Sequence, residues 1–377
     1  MELPPLGLYI HLPWCERKCP YCDFNSHEAQ DLPEAQYIDA LLQDLDGDIA
    51  LLQPRQVETL FIGGGTPSLF SAPAIARLLQ EVGKRVALSP ALEATMEANP
   101  GSAEADKFAA FHAAGINRLS LGIQSFQDEQ LQSLGRVHNS EQAHAAIDFA
   151  CAAGFDSFNI DLMHGLPGQG IESASTDLRT ALSYQPAHLS WYQLTIEPNT
   201  VFHKRPPALP VEDTLADIQD NGEHLLTRNG MQQYEVSAYS QPGFECRHNS
   251  NYWSFGDYLG IGAGAHGKIT APDGSIQRTA KRRQPGEYMS SPVGAFTAKT
   301  RILTQDEVPG EFMLNALRLN QGFTISLFES RTGLPISSIR TPLEQLIDRG
   351  LLEKLETTIR TTALGRRFLD SIVAEFF

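Results

Sequence analysis

From about residue 6 to residue 270 the chain repeats one rhythm: a short apolar run rich in β-branched or aromatic residues, a polar or glycine-containing end, then a helical period. The runs that read as strands are Leu8 to His11, Thr59 to Ile62, Glu93 to Glu97, Arg118 to Ile123, Ser157 to Leu162 and Leu189 to Thr195. Helical patterns lie between them. Ser71 is placed to cap a segment whose Ile75, Leu78, Leu79 and Val82 share one face, and Gly154 stands just past a segment that begins near Asn139. Strand alternating with helix over this length predicts an α/β fold: a parallel sheet with helices outside, open or curled into a full or partial TIM-type (β/α) barrel. The chemistry of such folds gathers at the carboxyl ends of the strands.

Past residue 270 the rhythm degrades. Residues 276–300 are rich in Arg, Lys, Pro, Ser and Gly and predict a linker or surface crossing, which divides the chain into a first domain over 1–275 and a second over 301–377. In the second, Leu343, Leu346 and Ile347 precede Gly350, Leu351 and Leu352, then a Thr-rich stretch and a last helix ending in Phe376 and Phe377. This pattern predicts a small, mainly helical, winged-helix-like domain with a hairpin. Such domains can bind DNA, but a formal net charge of -16 and a pI near 5.1 oppose it, because the overall field repels a phosphate backbone and an anionic membrane surface. No run of about 18 apolar residues is present, and the opening MELPPLGLYIHLPWC has neither a basic n-region nor a small-residue cleavage site. The expectation is a cytoplasmic protein with no nucleic-acid partner and no membrane contact of its own.

Of the five cysteines, Cys15, Cys19 and Cys22 stand in the spacing C-x3-C-x2-C directly after the first strand. An odd number, clustered, points to thiolates kept reduced for a metal and away from a disulfide framework. Thiolates are the soft ligands of iron-sulfur clusters; a cubane has four irons, and this loop supplies three sulfurs, so the last iron takes another ligand. A structural zinc site is the alternative, with His11 or His27 to complete it, although the usual paired C-x2-C spacing is absent. Gly63, Gly64, Gly65, Thr66 and Pro67 follow the second strand, where glycines let the backbone approach a ligand closely; alone they read equally as a tight turn.

The motifs LYIHLPWCERKCPYCDF, FIGGGTPS, MEANPG, LSLGIQSF, LGRVH and FNIDLMHGLPGQ, in this order, resemble the coproporphyrinogen III dehydrogenase-like branch of the radical-SAM superfamily, over essentially the whole chain. The resemblance implies a radical-SAM barrel followed by a HemN-like C-terminal domain. It implies a [4Fe-4S] cluster on Cys15, Cys19 and Cys22, with S-adenosyl-L-methionine chelating the open iron and receiving an electron at its sulfonium. It further implies that Tyr9 packs by the cluster and cofactor, and that Tyr21 and Phe24 sit near the adenine or a second adenosyl site. Gly64, Gly65 and Thr66 would line the methionyl end, Glu97 would hold the methionyl or ribose part, and Gln124, Arg136 and Asp161 would add polar contacts. All these positions fall at or just beyond strand carboxyl ends in the pattern above. Taken singly, Asp161 reads as a helix cap, Arg136 as an ion-pair partner and Glu97 as a solvated loop charge.

Two departures separate the chain from the decarboxylases of that branch. Their motif continues to a further cysteine where Phe24 stands here, and they carry an arm of several tens of residues before the cluster, whereas the first ligand here is already at position 15. The segment RHNSNYW contains H-N-x-x-Y-W, formed by His248, Asn249, Tyr252 and Trp253, which resembles the signature associated with heme binding in the heme-chaperone members of the branch. An imidazole can ligate heme iron and aromatic rings can cover a macrocycle face; equally, a lone His among aromatics is core. Cys246 reads as an inert buried thiol or an alternative heme ligand, and Cys151 as packing on a helical face. The run YLGIGAGAHGK, Tyr258 to Lys268, looks like a turn closing the site, with His266 either facing a ligand or serving as a structural donor. What the resemblance implies is a heme chaperone with heme, an acceptor hemoprotein and an electron donor such as a flavodoxin or ferredoxin as partners, membrane contact only through the acceptor, and a possible homodimer. An oxygen-independent coproporphyrinogen III dehydrogenase or another tetrapyrrole decarboxylase is the alternative, and an inert protein with a purely structural cluster a third. No catalytic residue is assigned.

Overall fold

The computed structural model describes residues 3–50, 52–102, 105–155 and 157–377. Six strands run parallel in chain order: β1 Leu6–Leu12, β2 Val57–Gly64, β3 Leu88–Ala98, β4 Arg118–Gln124, β5 Ser157–His164 and β6 His188–Gln193. Each expected strand is present, lengthened or trimmed at its ends. Helices such as Ala72–Arg85, capped by Ser71, and Ser140–Ala152, with a capping box at Asn139, cover the outside. Gly154 ends the second of these at φ +81, a left-handed turn open to glycine without strain. Outward residues of the strands, among them Leu8, Leu60, Met96, Leu119, Ile160 and Leu189, join the helices in one apolar core.

The barrel is partial. Strand order among the described residues is linear, with β1 to β6 in the middle. Ala238–Ser240 and Gln232–Glu235 extend it antiparallel past β6. On the other flank Asp257–Ile261 pairs parallel with β1, and His266–Thr270, Ile276–Lys281 and Thr297–Ile302 follow antiparallel. The segment 276–300 is therefore no linker: it carries two of these strands and the short helix Pro285–Met289. Its polar, basic composition misled because Thr297–Ile302 is an edge strand almost wholly exposed, where no apolar alternation is required. Ile276 and Phe255 pack into a second apolar cluster with Phe312, Phe323, Phe328, Leu346 and Ile372. That C-terminal unit holds the helices Glu307–Ala316, Ile325–Thr332 and Arg340–Asp348 and the hairpin Leu352–Leu355/Thr358–Thr361, in winged-helix order. Among the described residues no helix is long and apolar enough to cross a membrane.

Candidate functional site

Most inward residues of the parallel strands are polar, which an ordinary barrel core would not tolerate without ligand or partner. They face a cavity of about 810 Å3 that the cysteine loop closes at one end and Arg118, Cys246 and Arg318 line at the other. Cys15, Cys19 and Cys22 all line it. Burial raises the thiol pKa of Cys15 and of Cys22, so both are thiols until a metal displaces the proton. Among the described residues no three His, Cys, Asp or Glu side chains converge on a single-ion position, as tetrahedral zinc would require. A cubane takes each thiolate on a different iron and asks only that they surround one opening.

The glycine run after β2 is shaped by that loop. Gly64 has φ +121, and a Cβ at Gly65 would lie 2.4 Å from the Trp14 carbonyl oxygen, so the run must lie against the loop's backbone without side chains. The backbone N–H of Thr66 donates to Trp14 O at 2.7 Å, and the Thr66 hydroxyl accepts from Asn99 Nδ2 at 2.8 Å. Gly64 N–H donates to Glu97 Oε2 at 3.0 Å. Burial, and the nearby Asp161, push the Glu97 carboxyl up to about 8 against that single bond. Asp161, which accepts from Ser120 at 2.9 Å and from Asn159 at 2.7 Å, is likewise raised by burial. Two carboxyls thus share the wall with no cation bonded to either among the described residues.

Arg136 follows a short helix and is anchored to the cysteine loop, since a Cβ at Gly135 would meet Pro20 Cδ at 2.6 Å. Its guanidinium donates to Asn99 Oδ1 at 2.6 Å, Gly122 O at 2.8 Å and Cys19 Sγ at 3.7 Å, while its Nε is buried with no partner. Gln124, at φ +67, accepts from the Tyr192 hydroxyl at 2.8 Å. Tyr21 packs on Phe202 and Phe24 is 61% exposed. The donor set, the glycine cradle and the unpartnered Arg136 Nε fit a soft metal cluster with a polar ligand beside it.

Nearly all expected residues therefore meet in this cavity, but their placement differs in detail. Tyr9 and Asp161 sit in mid-strand, not at carboxyl ends, and Tyr9 lines a smaller neighbouring cavity, its hydroxyl 2.8 Å from His11 Nδ1. His248 joins neither cavity. It is 4% exposed, stacked on Phe61 at 4.3 Å and met edge-on by Tyr252 at 4.3 Å, with its Nδ1 buried and without a hydrogen-bond partner among the described residues. The helix Arg247–Trp253 explains this: its N–H groups at Arg247 and His248 bond Glu93 on β3, turning His248 into the core. Cys246 is buried, its thiol raised to about 11 mainly by burial, as an inert thiol should be. Cys151, expected to pack, is exposed at the end of its helix.

Several residues of the cavity went unnoticed in the sequence. Asn99 lies inside the MEANPG motif and had that signal. Arg118, Asn159 and Tyr192 had none, because alternate residues of a parallel strand carry no mark of facing inward. Arg118, 5% exposed, lines the cavity and makes no hydrogen bond or ion pair among the described residues. Arg318 arrives from the C-terminal unit, stacked over Trp253 at 4.3 Å and 3.5 Å from Glu235.

Residues 9–181 match the Radical SAM superfamily and residues 303–368 the HemN C-terminal domain. The chain is 50% identical to the heme chaperone HemW of Escherichia coli over 377 residues, covering all of this chain and 99% of that protein. It is 33% identical to the heme chaperone HemW of Bacillus subtilis, covering 98% of each, and 36% identical to the mouse mitochondrial radical S-adenosyl methionine domain-containing protein 1, over 97% of this chain and 86% of the relative. Coproporphyrinogen III oxidase (HemN) from Escherichia coli, described as a radical SAM enzyme, superposes with a TM-score of 0.85 at 26% identity, over 99% of this chain and 90% of that one. With the whole length matched at such identity, the chain belongs to the HemW family of the radical-SAM superfamily.

Proposed function

We propose that the protein is a cytoplasmic heme chaperone that carries a [4Fe-4S] cluster on Cys15, Cys19 and Cys22, binds S-adenosyl-L-methionine at the open iron, and passes heme to an acceptor hemoprotein. The observation that carries the cofactor part is the meeting, in one cavity, of three thiols with a glycine cradle and polar groups that lack protein partners. The heme part rests on the full-length relatives. When bound, a reduced cluster supplies an electron to the sulfonium of the adenosyl cofactor. The chain's own residues position it. Gly64, Gly65 and Thr66 admit the methionyl end, and Glu97 holds a carboxyl to which, among the described residues, only Gly64 N–H is bonded, ready for an ammonium or hydroxyl group. Arg136 brings its guanidinium to the cavity wall beside Cys19, where it can face a carboxylate, and Gln124 and Asp161 offer oxygens. Tyr21 and Phe24 give the adenine a ring to lie against. We place the C-terminal domain from residue 301, with Arg318 reaching the cavity from it. A flavodoxin- or ferredoxin-like donor would deliver the electron, and a homodimer is part of the same reading.

A second reading is favoured by the 0.85 TM-score to coproporphyrinogen III oxidase: a tetrapyrrole decarboxylase. Phe24, standing where the decarboxylases place a cysteine, argues against it. The test is to incubate anaerobically reconstituted protein with S-adenosyl-L-methionine, reductant and coproporphyrinogen III, and in parallel to titrate it with heme and present an apo-hemoprotein. The expected result is tight heme uptake and transfer without protoporphyrinogen; formation of protoporphyrinogen would overturn the chaperone reading.

A further inference from the structure

The end of the main cavity away from the cysteine loop is built around a buried cation that the protein leaves unpartnered. Arg118 opens β4 and Gln124 ends it, so about 20 Å of strand, at roughly 3.3 Å per residue, separates Arg118 from the groups beside the cysteines. Its side chain is 5% exposed, lines the cavity, and has no hydrogen bond or ion pair among the described residues. The two carboxylates whose charge reaches it are spent elsewhere. Glu93 accepts from the backbone N–H of Arg247 at 3.2 Å and of His248 at 2.9 Å, and Asp161 accepts from the Ser120 hydroxyl at 2.9 Å and the Asn159 amide at 2.7 Å. His188 is engaged as well, its ring nitrogens 2.7 Å from Asn159 Oδ1 and 2.8 Å from the Tyr234 hydroxyl. Burial, and then the positive charge of Arg118, push the pKa of His188 and of His248 down, that of His248 to about 3.

A second guanidinium stands at the same end. Arg318, just past the helix Glu307–Ala316 of the C-terminal unit, lies over the Trp253 ring at 4.3 Å. Among the described residues its one ion pair, with Glu235, is long at 3.5 Å, and its Nε is buried with no partner. Glu235 in turn accepts from Ser237 N–H at 3.2 Å. Asn249 also lines the cavity, and its side-chain amide makes no hydrogen bond among the described residues. Two residues of the H-N-x-x-Y-W motif therefore serve this end of the barrel: Asn249 lines it with a free amide, and Trp253 gives Arg318 a surface to rest on.

We propose that this end of the barrel is a binding site for a small carboxylate, received by the guanidinium groups of Arg118 and Arg318 with the Asn249 amide beside them. A buried cation without a partner costs stability, and a fold that keeps one facing a cavity leaves that cost for an anion to remove. The planar fork of a guanidinium matches a carboxylate in shape and charge. A phosphate dianion fits less well, because Glu93, Asp161 and Glu235 stand near the two guanidinium groups and oppose a second negative charge. In the sheet Arg118 is level with Ser157, four residues before Asp161, so the site begins on the far side of the groups assigned to the adenosyl cofactor. It stands independently of the heme-chaperone reading.

The test is thermal denaturation of the full chain, reconstituted and cluster-free, titrated with acetate, succinate or inorganic phosphate against sodium chloride at constant ionic strength. Wild-type protein should gain melting temperature saturably with either carboxylate and not with chloride, as binding to the native state alone requires. Arg118→Gln should weaken that binding at least about tenfold, the weight of a hydrogen bond to a charged group. Without ligand it should melt no lower than wild type, because it removes an uncompensated buried charge. Arg318→Gln, at a partly exposed side chain, should weaken carboxylate binding while iron content stays unchanged. A wild-type protein with no saturable response, or an equal response in Arg118→Gln, would overturn the proposal, as would phosphate bound as tightly as the carboxylates. A lower melting temperature of ligand-free Arg118→Gln, with no carboxylate response in either protein, would make Arg118 a part of the fold held by Glu93 and nothing more.

Discussion

Two carboxylates at opposite ends of the same barrel show how differently the fold treats a buried charge. Asp257 begins the strand beside β1, at the end away from the cysteine loop, and is fully buried. One of its oxygens accepts from Lys268 Nζ at 3.0 Å and the Thr270 hydroxyl at 2.8 Å, the other from Arg55 at 2.7 Å and Thr270 N–H at 2.9 Å. Although burial alone would raise its pKa, Lys268, Thr270 and Arg55 hold it below the ordinary carboxylate value. Glu97, near the carboxyl end of β3, accepts one backbone N–H, has no bonded cation among the described residues, and is pushed up to about 8 by burial and the nearby Asp161. The first is closed on itself and serves the fold. The second is left incomplete, and a group whose charged form the protein does not support is one that a ligand can complete.

The comparison can be broken first at its structural end. Lys268→Met should cost up to about 3–5 kcal/mol in denaturant unfolding, because it removes one of the two cations that compensate the buried Asp257 charge and leaves Arg55 alone to do so; a cost under about 1 kcal/mol would mean that water reaches Asp257 and that the two ends are alike. At the other end, Glu97 binds a proton more tightly folded than unfolded. Ligand-free protein should therefore lose stability as pH rises from about 4.5 to about 8, by a few kcal/mol at most. Glu97→Gln should flatten that slope while lowering S-adenosyl-L-methionine affinity, measured by calorimetry; a slope unchanged in the variant would remove Glu97 as its source. Asp257 works in the opposite sense: its stabilisation holds above about 3.8 and fades as pH falls below that.

Arg136→Lys sharpens the contrast within the cavity. The lysine cannot reproduce the fork to Asn99, Gly122 and Cys19, and about 1–3 kcal/mol should go with it, read as a lower melting temperature of ligand-free protein together with weaker cofactor binding. Cys151→Ser, exposed and remote from the cavity lining, should stay within about 0.5 kcal/mol of wild type and keep full iron content. Iron loss in that variant would point to a ligand set other than Cys15, Cys19 and Cys22.

What the sequence determined by itself is what short-range physics determines. The six parallel strands follow from apolar runs of strand length, the helices between them from their period and from caps such as Ser71 and Asn139, and the cysteine loop from soft ligands placed within one turn of chain. Glu97, Gln124 and Arg136 were reachable only through the family resemblance that their motifs carry; read singly, Glu97 and Arg136 pointed to structural roles. Tertiary structure alone decided which polar residues of β4 to β6 face inward, so Arg118, Asn159 and Tyr192 went unread, and it decided that the basic segment 276–300 joins the sheet, ending in an edge strand. It decided, too, the surroundings of two histidines. Glu93 holds the helix of His248 so that Phe61 and Tyr252 pack against its ring, whereas glycines at 260 and 264 press a turn against the cysteine loop and leave His266 exposed. Which side of a ring stays uncovered depends on neighbours more than a hundred residues away in the chain, and no local pattern carries that information.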